Sequence, residues 1–178
     1  MCIRDRFRAA LGGKVRACSS GGSALSKEVG SFFCGIGITI IEGYGLTETS
    51  PVMTVGHSDF FKFGTVGKPI PGVEVKIQPD GEIVCRGHNV MMGYYKNEEA
   101  TNEAIIDGWF HSGDIGEFDE DGLLRITDRK KSLIVTSGGK NVAPQPMEVS
   151  LTSNKYIEQC TIVGDDRNFI SAVIVPSK

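Results

Sequence analysis

The stretch GYGLTETSP, which begins at Gly43, carries residue types that can bind a nucleotide. Gly43 and Gly45 let a flat ring approach the backbone, and the face of Tyr44 can stack on a base. Thr47 offers a hydroxyl to a phosphate oxygen, and Glu48 offers a hard oxygen ligand to a Mg²⁺ ion that bridges phosphates. A nucleoside triphosphate site is one prediction. A tight strand-to-helix turn with a capping threonine and an exposed glutamate is the other, and spacing alone leaves both open.

A strand–helix–strand unit is predicted immediately before this motif, with short strands over 15–18 and 38–42. The helix between them is predicted from apolar residues at helical spacing: Leu25, Val29, Phe32 and Phe33. Such units are normally parallel, so the loops after both strands leave the same edge of the sheet, where open α/β sheets bind ligands. The first loop contains Gly21, Gly22 and Ser23, and we predict that it lies beside the GYGLTETSP motif.

Two further segments place glycines next to polar side chains. Asp114 ends the stretch GWFHSGD, where a carboxylate can accept both hydroxyl groups of a ribose, although an Asx turn ahead of a strand explains the same residues. The stretch TSGGK, residues 136–140, superficially suggests a phosphate loop. It lacks the G-x-x-x-x-G-K-[ST] spacing, so that interpretation is rejected.

Residues 64–127 are predicted to form mostly antiparallel sheet. Strands over 73–77 and 82–86 flank a Pro-Asp-Gly turn and predict a hairpin. A short helix is expected from Asn97, with two glutamates in its first turn. A second strand pair is expected on either side of the turn EDG, over 115–118 and 123–126.

The run Asp128-Arg129-Lys130-Lys131 is the most polar junction in the chain and is predicted to be a linker. After it we expect a strand over 133–135 and a loop over 136–141. A helix that opens near Pro144 and two further strands, over 161–163 and 172–175, complete the chain. This C-terminal part is too small to bury a core alone, so a truncated second domain is predicted.

Composition excludes several classes of function. The net charge of −3 gives no electrostatic basis for binding nucleic acid. No apolar run approaches the ~18 residues of a membrane span. The five cysteines include no C-x-x-C pair and the three histidines lie far apart, which argues against a disulfide framework or a zinc site. The predicted location is a reducing cytoplasm, and a peripheral association with a membrane is left open.

Four ordered blocks resemble the adenylate-forming superfamily, and within it the long-chain acyl-CoA synthetases: GYGLTE, GEIVCRGHNVMMGYY, GWFHSGD and ITDRKKSLIVTSGGKNVAPQPME. The resemblance covers nearly all of the chain from about residue 12. It implies an α/β fold with mixed β structure, in which 7–128 is the end of a large N-terminal α/β domain. That part divides into a parallel α/β region, 7–63, and a β-rich subdomain, 64–127. Residues 129–178 are then a hinge and a truncated small α+β lid domain.

The resemblance assigns the adenine ring to Gly21-Gly22-Ser23 and Gly43-Tyr44-Gly45. It assigns a phosphate contact to Thr47 and the magnesium ion to Glu48, both of which act in catalysis.

The remaining assignments by resemblance lie further along the chain. Asp114 and Arg129 are assigned to the ribose, and Lys131 is assigned to the hinge about which the small domain rotates. Gly138 and Gly139 are assigned to the loop that lines the route of the incoming thiol.

The function implied is ATP-dependent activation of a fatty acid to an acyl-adenylate, followed by transfer to coenzyme A. The expected partners are therefore small molecules: the fatty acid, ATP with Mg²⁺, and coenzyme A as co-substrate. An aryl-CoA ligase, a peptide-synthetase adenylation domain and a non-catalytic nucleotide-binding module remain as alternatives.

Both ends of the chain carry expectations of their own. Residues 1–6 are interpreted as a non-native scar of sequence assembly. The family's phosphate loop is expected upstream, and its catalytic lysine beyond Lys178. The fragment alone is therefore expected to be inactive.

Overall fold

The computed structural model describes residues 2–60, 62–130 and 133–177. The helices of this part are α1 (Ile3–Ala10), α2 (Lys27–Gly35), α3 (Glu98–Ala104) and α4 (Pro144–Thr152). The strands of the N-terminal half are β1 (Ala17–Ser20), β2 (Thr39–Tyr44), β3 (Thr54–Val55), β4 (Lys68–Pro69), β5 (Val73–Ile77) and β6 (Glu82–Gly87). The later strands are β7 (Ile105–Ile106), β8 (Trp109–Phe118), β9 (Leu124–Arg129), β10 (Ile134–Val135), β11 (Asn141–Val142), β12 (Ile157–Val163) and β13 (Ser171–Pro176).

The first sheet has four strands in the order β1-β2-β3-β4. Strands β1 and β2 are parallel, in register from Ala17 opposite Thr39 to Ser20 opposite Glu42, which confirms the predicted pairing. Strands β3 and β4 add to β2 in antiparallel fashion, so the sheet that contains the predicted parallel pair is mixed. Two-residue strands carry no periodicity, which is why the sequence did not reveal them.

Strand β2 is longer than predicted. Gly43 and Tyr44 belong to it, because they pair with Val55 and Thr54 of β3. The loop at the end of β2 therefore begins at Gly45, two residues later than the sequence suggested.

Helix α2 is confirmed, and its N-cap is Ser26, whose hydroxyl oxygen accepts a hydrogen bond from the Val29 N–H at 3.3 Å. The predicted apolar face is only partly buried, since Val29 and Phe32 are 45% and 47% exposed. The helix instead buries Gly30, where a Cβ atom would lie 2.4 Å from the Phe63 ring. The close approach of Phe63 thus sets which face of α2 is covered.

The second sheet has five strands, with β5, β6, β8 and β7 in that order and β9 paired with β8. The predicted hairpin is confirmed: β5 and β6 are antiparallel, and Gly81 takes a φ of +86° in the turn between them. Helix α3 also begins where predicted, because the Asn97 side chain accepts a hydrogen bond from the Ala100 N–H at 3.0 Å. Strand β8 is longer than the predicted 115–118 and takes in the whole stretch from Trp109.

The buried core joins the end of β2 to this second sheet. Its members are Tyr44, Met53, Val73, Ile83, Cys85, Phe110 and Leu124, each at most 8% exposed. Burial raises the pKa of the Cys85 thiol to about 12, so this thiol is unreactive at neutral pH. All five cysteines are free.

The chain divides into two compact units. The first contains the residues up to Ser112 together with Gly116–Ile126, and the second contains Gly113–Ile115 together with the residues from Thr127 onward. Within the second unit, β10 and β11 form one antiparallel hairpin, β12 and β13 form another, and α4 begins at Pro144 as predicted. No helix among the described residues is long and apolar enough to cross a membrane.

The predicted linker is wrong at its first two residues. Asp128 and Arg129 belong to β9, and Asp128 is only 4% exposed. The Asp128 side chain is hydrogen-bonded to the neighbouring backbone, because its Oδ1 atom accepts from the Arg129 N–H at 2.7 Å. A polar run therefore marked the end of a strand rather than a solvated linker.

Candidate functional site

The two N-terminal glycine loops lie side by side, as predicted. Gly21 follows β1, and a Cβ atom on it would lie 3.3 Å from the carbonyl oxygen of Gly43 in β2. Gly22 takes a φ of +82°, a conformation that favours glycine, while Gly22 and Ser23 are exposed to solvent. The carboxyl edge of the parallel pair thus presents an open, glycine-lined surface.

Gly45 is required by the loop itself. A Cβ atom on Gly45 would lie 1.6 Å from the Pro51 carbonyl oxygen and 2.9 Å from the Cα atom of Val52. The chain after β2 therefore folds back tightly against its own start. This packing gives a structural reason for Gly45 beside the predicted contact with adenine, which stays a prediction.

Tyr44 is mostly buried. It is 8% exposed and packs in the core with Met53 and Ile83. Stacking of its ring on a base remains a prediction, and little of the side-chain surface is open to a ligand.

A single 3-10 turn, Thr47–Thr49, presents the two residues assigned to phosphate and magnesium. Thr49 locks this turn from inside: it is fully buried, and its hydroxyl lies 3.0 Å from the carbonyl oxygens of both Leu46 and Pro51. The same hydroxyl accepts a hydrogen bond from the Leu46 N–H at 2.9 Å. The capping threonine is thus Thr49, and this leaves Thr47 at the surface.

Glu48 is half-buried and held at two points. Its carboxylate oxygen Oε1 accepts a hydrogen bond from the Tyr94 hydroxyl at 2.9 Å, and its carbonyl oxygen accepts one from the Met91 N–H at 2.8 Å. The hydrogen bond to Glu48 raises the pKa of Tyr94. Within the described part of the chain, no hydrogen bond reaches the other carboxylate oxygen, Oε2.

This arrangement fits a magnesium ion. Mg²⁺ is usually bound through one or two carboxylates together with substrate phosphates and water. Glu48 supplies one such carboxylate at the glycine-lined edge, with one oxygen engaged and one open. The described residues contain no group of three or more His, Cys, Asp or Glu side chains that could hold a metal without a substrate.

Asp114 and Arg129, the two residues assigned to the ribose, contact each other in the second unit. The Arg129 Nε atom lies 3.2 Å from Asp114 Oδ1, and the Asp114 side chain is 6% exposed whereas that of Arg129 is 64% exposed. A buried carboxylate thus anchors an exposed guanidinium. Their contact with a ribose, and the sharing of one cleft with the glycine loops, stay predictions.

Gly138 and Gly139 lie at the exposed tip of the β10–β11 hairpin. Hydrogen bonds close the tip, from the Thr136 N–H to the Lys140 oxygen at 3.0 Å and from the Gly139 N–H to the Thr136 oxygen at 2.8 Å. The predicted role in thiol entry stays a prediction. Lys131, the predicted hinge, lies outside the described residues.

Sequence reasoning missed three residues that build the site. Thr49 locks the turn, Tyr94 binds Glu48, and the Asn89 amide donates to the carbonyl oxygens of Thr49 and Val52 at 3.0 and 2.8 Å. Asn89 and Tyr94 both lie in the block GEIVCRGHNVMMGYY. This block supports the family resemblance, but no role was predicted for its individual residues.

Two family models match this chain in series. The model described as AMP-binding enzyme matches residues 1–95, and the model described as AMP-binding enzyme C-terminal domain matches residues 131–178. The first match alone covers more than half of the chain.

The chain belongs to the AMP-binding enzyme family.

Relatives of this AMP-binding enzyme chain include acyl-CoA ligases of bacteria and plants. It is 52% identical over 172 residues to the long-chain-fatty-acid–CoA ligase FadD15 of Mycobacterium tuberculosis, a match that covers 97% of this chain and 29% of that protein. It is 39% identical over 194 residues to the long chain acyl-CoA synthetase 1 of Arabidopsis thaliana, covering 98% of this chain and 28% of that protein. The chain thus spans less than a third of the length of these relatives.

Solved structures of similar fold include enzymes with bound ATP. The o-succinylbenzoate coenzyme A synthetase of Bacillus subtilis, in complex with ATP and magnesium ion, superposes with a TM-score of 0.82 at 28% identity, over 97% of this chain and 40% of that one. The ATP-bound MatB of Rhodopseudomonas palustris superposes with a TM-score of 0.80 at 30% identity, over 93% and 36%. The AMP-binding enzyme family thus accounts for the mixed α/β fold with several sheets.

Proposed function

We propose that the whole protein is an ATP-dependent long-chain-fatty-acid–CoA ligase that uses Mg²⁺. One observation carries the proposal. A turn with an exposed threonine and a half-open carboxylate lies at the carboxyl edge of a parallel strand pair, in a chain 52% identical to a long-chain-fatty-acid–CoA ligase. Aryl-CoA ligases, one of the alternatives, are represented by the o-succinylbenzoate coenzyme A synthetase of Bacillus subtilis at 28% identity.

The proposed reaction has two steps. In the first, a carboxylate oxygen of the fatty acid forms a bond to the α-phosphorus of ATP, the bond from that phosphorus to the β-phosphate bridge breaks, and pyrophosphate leaves. In the second, the sulfur of coenzyme A attacks the acyl carbon, the thiol loses its proton, and AMP leaves as the acyl–oxygen bond breaks. The first step brings two negative groups together, so positioning and charge neutralisation supply most of its catalysis.

The residues of the first unit would bind the nucleotide in the first step. The Thr47 hydroxyl donates a hydrogen bond to a phosphate oxygen, and the backbone of Gly21 and Gly22 lies against the adenine ring. Glu48 would hold the magnesium ion, which neutralises phosphate charge when bound. Thr49 holds the backbone of the turn that carries Glu48 before the substrate arrives, which limits the reorganisation needed for reaction.

The residues of the second unit would serve the ribose and the thiol. Asp114 accepts hydrogen bonds from ribose hydroxyl groups, and Arg129, paired with Asp114 at 3.2 Å, lies on the same ribose. Gly138 and Gly139 line the approach of coenzyme A. Lys131 acts as the hinge about which the small domain rotates between the first step and the second.

The test is substrate-dependent pyrophosphate release by the whole protein. We expect release with ATP and a long-chain fatty acid, little with o-succinylbenzoate, and thioester formation once coenzyme A is added. Preference for the aromatic acid would favour an aryl-CoA ligase. ATP binding without release for any acid would favour a non-catalytic nucleotide-binding module.

A further inference from the structure

One segment, Asn89–Tyr94, donates four hydrogen bonds to residues between Glu48 and Val52. The Asn89 amide donates to the carbonyl oxygens of Thr49 at 3.0 Å and Val52 at 2.8 Å. The Met91 N–H donates to the carbonyl oxygen of Glu48 at 2.8 Å. The fourth contact differs in kind, because the Tyr94 hydroxyl reaches the carboxylate of Glu48 rather than its backbone, at 2.9 Å.

Tyr94 is itself held by helix α3. Its N–H donates to the Thr101 hydroxyl at 2.9 Å, and its carbonyl oxygen accepts from the Asn97 N–H at 3.2 Å. The Thr101 hydroxyl is in turn oriented by donation to the Asn97 carbonyl oxygen at 2.7 Å. Gly93 makes this fit, since a Cβ atom on it would lie 2.7 Å from Cγ2 of Thr101.

An ionised carboxylate only accepts hydrogen bonds, so the Tyr94 hydroxyl is the donor to Glu48 Oε1. A hydrogen bond to one oxygen fixes the rotation of the carboxylate and leaves Oε2 as the open oxygen. Groups that hydrogen-bond to a metal-binding side chain without contacting the metal commonly orient that side chain and raise the affinity for the metal.

We propose that Tyr94 is a positioning residue that holds the Glu48 carboxylate in the orientation that binds the metal–nucleotide complex. This inference rests on the proposed function, because it takes Glu48 as the magnesium ligand. The inference adds to the site a residue that lies 46 positions from Glu48 in the sequence and to which the sequence analysis gave no role.

The measurable quantity is the ratio of ATP affinities with magnesium and with a chelator. A residue that merely supports the fold would lower both affinities together, whereas a residue that orients the metal ligand lowers the ratio. We expect Tyr94→Phe, which removes only the hydroxyl, to lower the ratio about tenfold, within the range found for such supporting groups. Tyr95→Phe is the matched control, because Tyr95 is the adjacent tyrosine and is 88% exposed.

Loss of the hydrogen bond between Tyr94 and Thr101 of helix α3 should also lower the affinity ratio, but by less. Thr101→Val removes the hydroxyl that accepts from the Tyr94 N–H, and we expect a fall in the same ratio that is smaller than that of Tyr94→Phe. Thr101→Ser keeps the hydroxyl and should restore the ratio of the unmodified protein. An unchanged ratio in Thr101→Val would overturn the role given to α3.

The experiment is calorimetric titration of the whole protein with ATP, with Mg²⁺ and with a chelator, for these variants and for Glu48→Gln. Circular dichroism of each variant checks that its fold is retained. Failure of the unmodified protein to bind ATP overturns the proposed function and this inference with it. A high ratio of ATP affinities that is lost in Glu48→Gln but unchanged in Tyr94→Phe supports the proposed function and overturns this inference alone.

Discussion

Two turns of this chain, the one after β2 and the tip of the β10–β11 hairpin, both contain glycine but differ in burial. The turn after β2 is packed from within, since Tyr44, Thr49 and Thr54 are each at most 8% exposed. The tip of the β10–β11 hairpin is exposed at every residue from Ser137 to Lys140. The first turn carries the proposed metal ligand, and the second carries the predicted thiol route.

The glycines of the two turns are needed for different reasons. Gly45 has no room for a side chain, because the Pro51 carbonyl oxygen occupies the place of a Cβ atom. Gly139 has open space around it but takes a φ of +74°. Gly138 has open space and no such φ. A glycine in a motif can therefore reflect close packing, a positive φ or neither, and the structure separates the three cases.

Gly45→Ala should have the largest effect on stability. The added methyl group forces the Pro51–Val52 backbone to move, and we expect a loss of about 3 kcal/mol or more in the free energy of unfolding. Urea unfolding followed by circular dichroism measures it. A loss below about 1 kcal/mol would mean that the turn is not packed as described.

Gly139→Ala should have a smaller effect, through backbone strain alone. An alanine at a φ of +74° costs about 1–2 kcal/mol in the same measurement. Gly138→Ala is the matched control and should change the free energy of unfolding by less than about 0.5 kcal/mol. Equal losses in the two variants would contradict the distinction between them.

Glu42→Gln should have the smallest effect, visible as a dependence on pH. Burial raises the pKa of Glu42, so the folded chain binds this proton more tightly than the unfolded chain does. The stabilisation is complete below the ordinary glutamate pKa of about 4.3 and is lost as pH rises through the higher folded pKa. We therefore expect the melting temperature of Glu42→Gln, relative to the unmodified chain, to increase from pH 4 to pH 7. A difference that is constant over this range would show that Glu42 has the same pKa in both states.

Local signals predicted much of the fold. The parallel pair β1–β2, the hairpin at Gly81 and the cap at Asn97 all follow from periodicity and from residues with a turn or capping preference. The juxtaposition of Gly21 and Gly43 followed from the parallel pairing.

Long-range contacts account for what the sequence did not reveal. The hydrogen bond between Tyr94 and Glu48 joins residues 46 positions apart, and neither residue type identifies the other. Strand β3 extends β2 through Gly43 and Tyr44 without any pattern of its own. Asp128 shows the converse, because a polar residue that suggested a linker is buried at the end of β9.

The most direct test of the account is fatty-acid-dependent exchange of pyrophosphate into ATP by the whole protein and its Glu48→Gln variant. Exchange reports the first step alone, and loss of the carboxylate should lower its rate about 100-fold while the fold is retained. Glu103→Gln, on the exposed surface of α3, is the matched control and should exchange at the unmodified rate. Exchange by Glu48→Gln at the rate of this control would contradict the assignment of Glu48 to the magnesium ion.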